Sequence, residues 1–78
     1  MNEDRAIEKI MNEFYRASEL YPALHSNHEA YAVIKEEVDE LWDEIKKEKS
    51  IRGNEKIKTE LIQIGAMVVR YLNNLCDY

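Results

Sequence analysis

Residues that interrupt regular backbone structure are almost missing from this chain. Its 78 residues include one proline, Pro22, and two glycines, Gly53 and Gly65. Proline fixes φ and removes a backbone donor, and glycine costs a helix interior about 1 kcal/mol relative to alanine, so their scarcity leaves long stretches free to be helical. Apolar residues recur along those stretches in steps of three and four, the period of one helix face, and nothing alternates with period two. The pattern predicts an all-α fold, an antiparallel helical bundle of about three helices forming a single domain, 1–78.

The first helix is expected from Glu3 to Leu20, with Ile7, Ile10, Met11 and Phe14 on one face and Tyr21 just beyond its end. It stops there because a residue before proline is pushed out of the helical region. Ser26 and Glu29 have the spacing of a capping box and should open a second helix running to about Lys47, with Ile34, Val38, Leu41 and Ile45 as its stripe. Lys46 and Lys47 suit the negative end of that helix. A polar loop, Glu48 to Asn54, should follow, with Asn54 capping a third helix from about Glu55 to Leu75. Its stripe is Ile57, Leu61, Ile64, Val68, Leu72 and Leu75.

A chain this short buries only about 60% of its unfolded surface, so a lone core is marginal. Met67, Val69 and Tyr71 add apolar surface outside the main stripe of helix 3, and completion of the bundle as a homodimer or homotetramer is expected. Hydrophobic residues at 45% and charged residues at 35% are incompatible with a disordered tail. Sixteen acids against eleven bases give a net charge of −5, which argues against nucleic acid as a partner. No apolar run approaches the ~20 residues that span a bilayer, and the acidic polar faces do not suit a membrane surface. With no leader-like segment at the start and with Cys76 as the single cysteine, the expected location is cytoplasmic.

Helices 2 and 3 repeat one another at an offset of 23 residues. Ile34, Glu37, Val38, Glu40, Leu41 and Ile45 fall on Ile57, Glu60, Leu61, Gln63, Ile64 and Val68. Two amphipathic helices can always be slid into apolar register, so the polar matches are the informative ones. Glu37 with Glu40, and Glu60 with Gln63, stand at i and i+3 along the edge of each stripe, bordering the seam where the helices would meet. Crowding carboxylates at the edge of a core is unfavourable unless they splay into water or share a cation. Residues at i and i+3 on facing helices can direct carboxylates inward around metal ions. An all-oxygen set favours a hard cation, Mg²⁺ or Mn²⁺. Helix 2 carries six acids between Glu36 and Glu44, however, and such a run is also what a solvated face looks like.

The run Glu36-Glu37-Val38-Asp39-Glu40-Leu41-Trp42, followed by Glu60-Leu61-Ile62-Gln63, resembles the MazG-like all-α nucleoside triphosphate pyrophosphohydrolases. That family shows EExxE on one helix and ExxD on the next. The stretch from about Glu29 to Leu75 is similar in particular to the short MazG-like proteins of phages and prophages; Gln63 stands where the family has Asp. The resemblance implies Mg²⁺-dependent hydrolysis of a nucleoside triphosphate to monophosphate and pyrophosphate by a dimer or tetramer. It implies Glu37, Glu40 and Glu60 as metal ligands with Gln63 as a substituted fourth. Glu36 and Glu37 would be the catalytic pair, Glu36 orienting or activating water. The alternative is a non-catalytic helical-bundle interaction protein that kept the fold and presents its acids to solvent.

Lys46, Lys47, Lys49, Arg52, Lys56 and Lys58 cluster around the second connection, and Arg52 and Lys56 are the candidates for phosphate contact; simple charge balance is the competing role. Trp42 and Gly65 are also related by the offset of 23. Trp42 could pack where the glycine leaves room, or offer a face to a base. His25 and His28 have no further ligand at metal spacing, which favours capping or loop roles.

Overall fold

The computed structural model describes residues 1–47 and 51–76, with backbone alone for 51–54. Three helices follow in order: α1 (Glu3–Leu20), α2 (Asn27–Lys47) and α3 (Ile51–Leu75). No helix among the described residues is long and apolar enough to cross a membrane. The ends of α1 and the start of α2 lie where the sequence put them. Asn2 caps α1 by accepting a hydrogen bond from the Arg5 N–H at 2.9 Å. Tyr21 leaves the helix in an extended conformation ahead of Pro22. At α2, Ser26 Oγ accepts from the Glu29 N–H at 3.1 Å, while the Glu29 carboxylate accepts from the His25 N–H at 2.7 Å. The box is thus closed one residue further out than the usual pattern, in which the carboxylate reaches the capping residue itself.

The start of α3 differs from the expected one. The helix begins at Ile51, so Gly53 and Asn54 belong to its first turn and Asn54 is not its cap. One glycine costs a helix about 1 kcal/mol, too little to end one that packing stabilises along its length. Of the polar loop expected between α2 and α3, residues 48–50 lie outside the described residues.

At 1.5 Å per residue α3 is about 37 Å long, nearly the full 42 Å length of the molecule. Both other helices lie on it, and among the described residues no Cα of α1 comes within 8 Å of one in α2. Consecutive helices were expected to be packed neighbours; that holds for α2 and α3 only. α2 runs antiparallel to α3, since Asn27 meets Tyr71 near one end and Glu44 shares a cavity with Glu55 and Thr59 near the other. α1 runs in the same general sense as α3, with Ile10 against Gly65 and Pro22 against Arg70.

The segment between α1 and α2 is tied to the far end of α3 by side chains. Asn74 Oδ1 accepts from the Leu24 N–H at 2.8 Å, Arg70 donates to the Pro22 carbonyl at 2.9 Å, and Tyr71 donates to Asn27 Oδ1 at 2.8 Å. Leu24, Ala30 and Met67 form the core at this end, with Val33, Ile34, Tyr71 and Leu75 packed around them.

Serving two neighbours turns α3 away from the expected seam. Ala66, Met67 and Arg70 are its buried residues. Leu61, Val68 and Leu72, assigned to the interior by periodicity, are exposed, as are Val38 and Ile45 of α2. Leu61, Val68 and Leu72 stand on the side of α3 turned away from Arg70, where Ile34, Val68 and Leu72 line a shallow depression.

The expected pairing of Trp42 with Gly65 is also corrected. Trp42 is 56% exposed and carries Lys46 over its ring at 5.8 Å. Gly65 instead faces α1: a Cβ there would come within 2.8 Å of Ile10 Cδ1 and 3.0 Å of its Cγ1. This gives a sign test. In an Ile10→Ala background, Gly65→Ala should stabilise the protein by about 1 kcal/mol, the helix-propensity gain. In the native background the same change should be neutral or destabilising, because overpacking offsets that gain. Urea unfolding of the four proteins checks it; a gain of equal size in both backgrounds would mean that α1 does not approach α3 at this point.

Candidate functional site

Antiparallel packing places Glu37 of α2 opposite Glu60 of α3, with Glu40 one helical turn along α2. One carboxylate oxygen from each of the three lies within 4.8 Å of the other two. Glu37 and Glu60 are half-buried and Glu40 is exposed. The Oε2 atoms of Glu37 and Glu60 are buried without a hydrogen-bond partner. A buried carboxylate oxygen that no N–H or O–H reaches is costly, and two side by side add repulsion to the lost hydration. Burial is the largest cause pushing the Glu37 carboxyl up to about 7, followed by repulsion from Glu40 and then by Glu60, which can accept a hydrogen bond from Glu37 only when Glu37 is protonated and repels it when it is not. Glu40 is also raised, by desolvation first and then by Glu60.

The expected convergence is therefore present for three of the four residues on charge and distance. Gln63, one turn beyond Glu60, is half-buried and lines the same cleft as Glu37. Glu36 is exposed and lies outside the group of three, although its charge contributes to raising both Glu37 and Glu40. The solvated-face reading fits Glu36, Asp39 and Asp43, all exposed; it does not fit Glu37 and Glu60.

Two openings adjoin the carboxylates. Toward the α2–α3 connection, Glu44, Glu55, Lys56, Thr59 and Glu60 line a cavity of about 390 Å³. Lys56 thus lines the same cavity as Glu60, whereas the Arg52 side chain lies outside the described residues. Lys46 and Lys47 pair with Asp43 at 3.3 Å and Glu44 at 3.6 Å, the charge-balancing role. In the other direction, a cleft of about 390 Å³ opens between α1 and α2 over α3. Its floor includes Ala17, Ala66 and Met67, and its rim includes Glu13, Arg16 and Glu37. Arg16 holds Glu13 with two hydrogen bonds of 2.8 and 2.6 Å, which keeps the Glu13 carboxyl below the usual range.

Sequence reasoning missed this cleft, together with Arg70 and Glu44. Glu44 could have been found, since it stands seven residues from Glu37 on the same face of α2. Arg70 carried no signal, because a cation on an amphipathic helix ordinarily faces water.

The raised Glu37 sets a pH dependence with a definite sign. The folded state keeps a proton on Glu37 up to about 7, while the unfolded chain releases it near the ordinary value of 4.5. Stability of the metal-free protein must then fall as pH rises through that window. Screening at a half-buried group limits the loss to about 1–2 kcal/mol. Urea unfolding in chelator at pH 5.5 and pH 8 should show it, and Glu37→Gln should flatten the difference. A native profile without slope would put the two carboxylates apart. Compared with protein-family models, curated proteins and solved structures, the chain matches none, so the functional reading rests on the sequence motifs and this geometry.

Proposed function

We propose that this protein is a divalent-metal-dependent hydrolase that cleaves a nucleoside triphosphate between its α- and β-phosphates, acting on the nucleotide pool of the cytoplasm. The observation that carries the reading is the meeting of Glu37, Glu40 and Glu60 within 4.8 Å, with two buried oxygens that no donor reaches. Such oxygens call for a proton or a cation, and an all-oxygen set suits Mg²⁺ or Mn²⁺. The resemblance to the MazG-like pyrophosphohydrolases points the same way, through the same residues. Glu37, Glu40 and Glu60 would hold the ion, with the Gln63 side-chain carbonyl as a neutral fourth donor. The ion, when bound, neutralises phosphate charge and acidifies a water molecule.

The chain's own groups divide the remaining work. Water attacks the α-phosphorus; its oxygen forms the new P–O bond as the bond to the bridging oxygen breaks, and pyrophosphate leaves with that electron pair. Glu36, next to Glu37 and open to solvent, takes the proton. Lys56, on the Glu60 side, offsets charge on the departing pyrophosphate.

Incubation with canonical and modified nucleoside triphosphates and Mg²⁺ or Mn²⁺ should release pyrophosphate from at least one, and Glu37→Ala should lower turnover by more than about 100-fold, as loss of a direct ligand does. Gln63→Asp adds a negative ligand and should tighten Mn²⁺ binding by calorimetry. Failure to hydrolyse any triphosphate at high protein concentration would end the catalytic reading.

The exposed face of Val38, Ile45, Leu61, Val68 and Leu72 supports assembly with a second copy of the chain, as a homodimer or homotetramer. Apolar surface gathered on one side of a small domain is most economically covered by an identical face across a two-fold axis. Sedimentation should give a dimer or larger species, and Val68→Glu with Leu72→Glu should give a folded monomer. A native protein that sediments as a monomer at high concentration would remove this part.

A further inference from the structure

The cleft between α1 and α2 continues from the carboxylate group to a cation at its far end. Arg70 is 5% exposed and lines the cleft, and among the described residues it has no carboxylate within ion-pair distance. Its recorded partners are the Pro22 carbonyl at 2.9 Å and Met67 Sδ at 3.5 Å. A guanidinium carries five N–H groups, so these two contacts leave donors over for a ligand in the cleft. Gln63 and Arg70 are seven residues apart on α3, hence on one face and separated by about 10 Å along the axis. That is comparable to the span from the 5′ carbon of a nucleoside to the far edge of its base. Between them lies Ala66, and Ala17 and Met67 also line the cleft. Two small side chains and a polarizable sulfur leave a slot for a flat ring. The volume falls within the ~300–1,000 Å³ of small-molecule sites.

Resting on the hydrolase reading, we infer that this cleft holds the nucleoside part of the substrate, and that Arg70 selects bases with a carbonyl oxygen at the far edge. Those are the 6-oxopurines and the 4-oxopyrimidines. A guanidinium only donates, so it is matched by O6 of guanine or hypoxanthine and by O4 of uracil or thymine, while N7 is an acceptor in every purine and does not discriminate. Adenine and cytosine turn an amino group to that edge and set donor against donor.

The uncharged nucleosides test this without metal or phosphate. Inosine, uridine, adenosine and cytidine are titrated into the ¹⁵N-labelled protein in chelator and followed by amide shifts. Inosine should bind about ten-fold more tightly than adenosine, and uridine than cytidine, the scale of one charge-assisted hydrogen bond. The shifts should centre on Ala17, Ala66 and Arg70. Arg70→Gln, whose amide both donates and accepts, should reduce the preference to less than about three-fold. If that variant does not fold, the ranking in the native protein decides alone. Equal affinities, a preference for the amino bases, shifts centred elsewhere, or no binding at millimolar nucleoside would each overturn the assignment. Pyrophosphate release without the ranking removes the base-selecting role and leaves the hydrolase. Ranked nucleoside binding with no triphosphate hydrolysed removes the hydrolase and leaves the cleft.

Discussion

Two glutamates on different helices, each with an oxygen buried away from every donor, cannot both stay ionised in the metal-free protein without weakening the seam between those helices. Glu37 and Glu60 impose that condition on this molecule. Folding brings them together because α2 and α3 are joined by a short connection and must run antiparallel to bury Ala30, Ile34 and Met67. The same packing that supplies the core thus creates a site of unmet negative charge. Stability and chemistry meet at one point on the chain, and the fold holds that point in tension until a proton or a cation enters.

The geometry around this point has a direction. The carboxylates lie between a polar cavity bearing Lys56 and a cleft with small apolar side chains on its floor. A substrate with a charged end and a flat, largely apolar end would find both in line along α3. Their placement on either side of the three glutamates is what supports the proposed substrate. The exposed apolar stripe of α3 is on the other side of that helix from Arg70, which lines the cleft, so assembly through it would leave the cleft open.

Much of this was legible in the sequence because it depends on local rules. Helix ends follow from Pro22 and the Ser26–Glu29 box, which act on residues within four positions. The carboxylate group was legible because an offset of 23 residues repeats both polar and apolar positions, fixing which side of each helix the acids occupy. What could not be read was the placement of α1. Periodicity says that a helix has a buried face but not which neighbour covers it, and here α3 covers both other helices. That choice turned Leu61, Val68 and Leu72 outward, gave Gly65 to Ile10 instead of Trp42, and buried Arg70. Arg70 could not be foreseen because its oxygen partner is the backbone of Pro22, 48 residues away, and a carbonyl leaves no mark in a sequence.

The separation of the α1 and α2 backbones has a mechanical side. A helix that packs on a single neighbour can roll about its line of contact, and Gly65 lets α3 come close to Ile10 of α1 at one place. Rolling there would change the width of the opening above α3 while the α2–α3 interface stayed as it is. One wall of the opening thus depends on a single helix seam while the other carries Glu37, so a change made at the α1–α3 seam would alter the opening without passing through the acids.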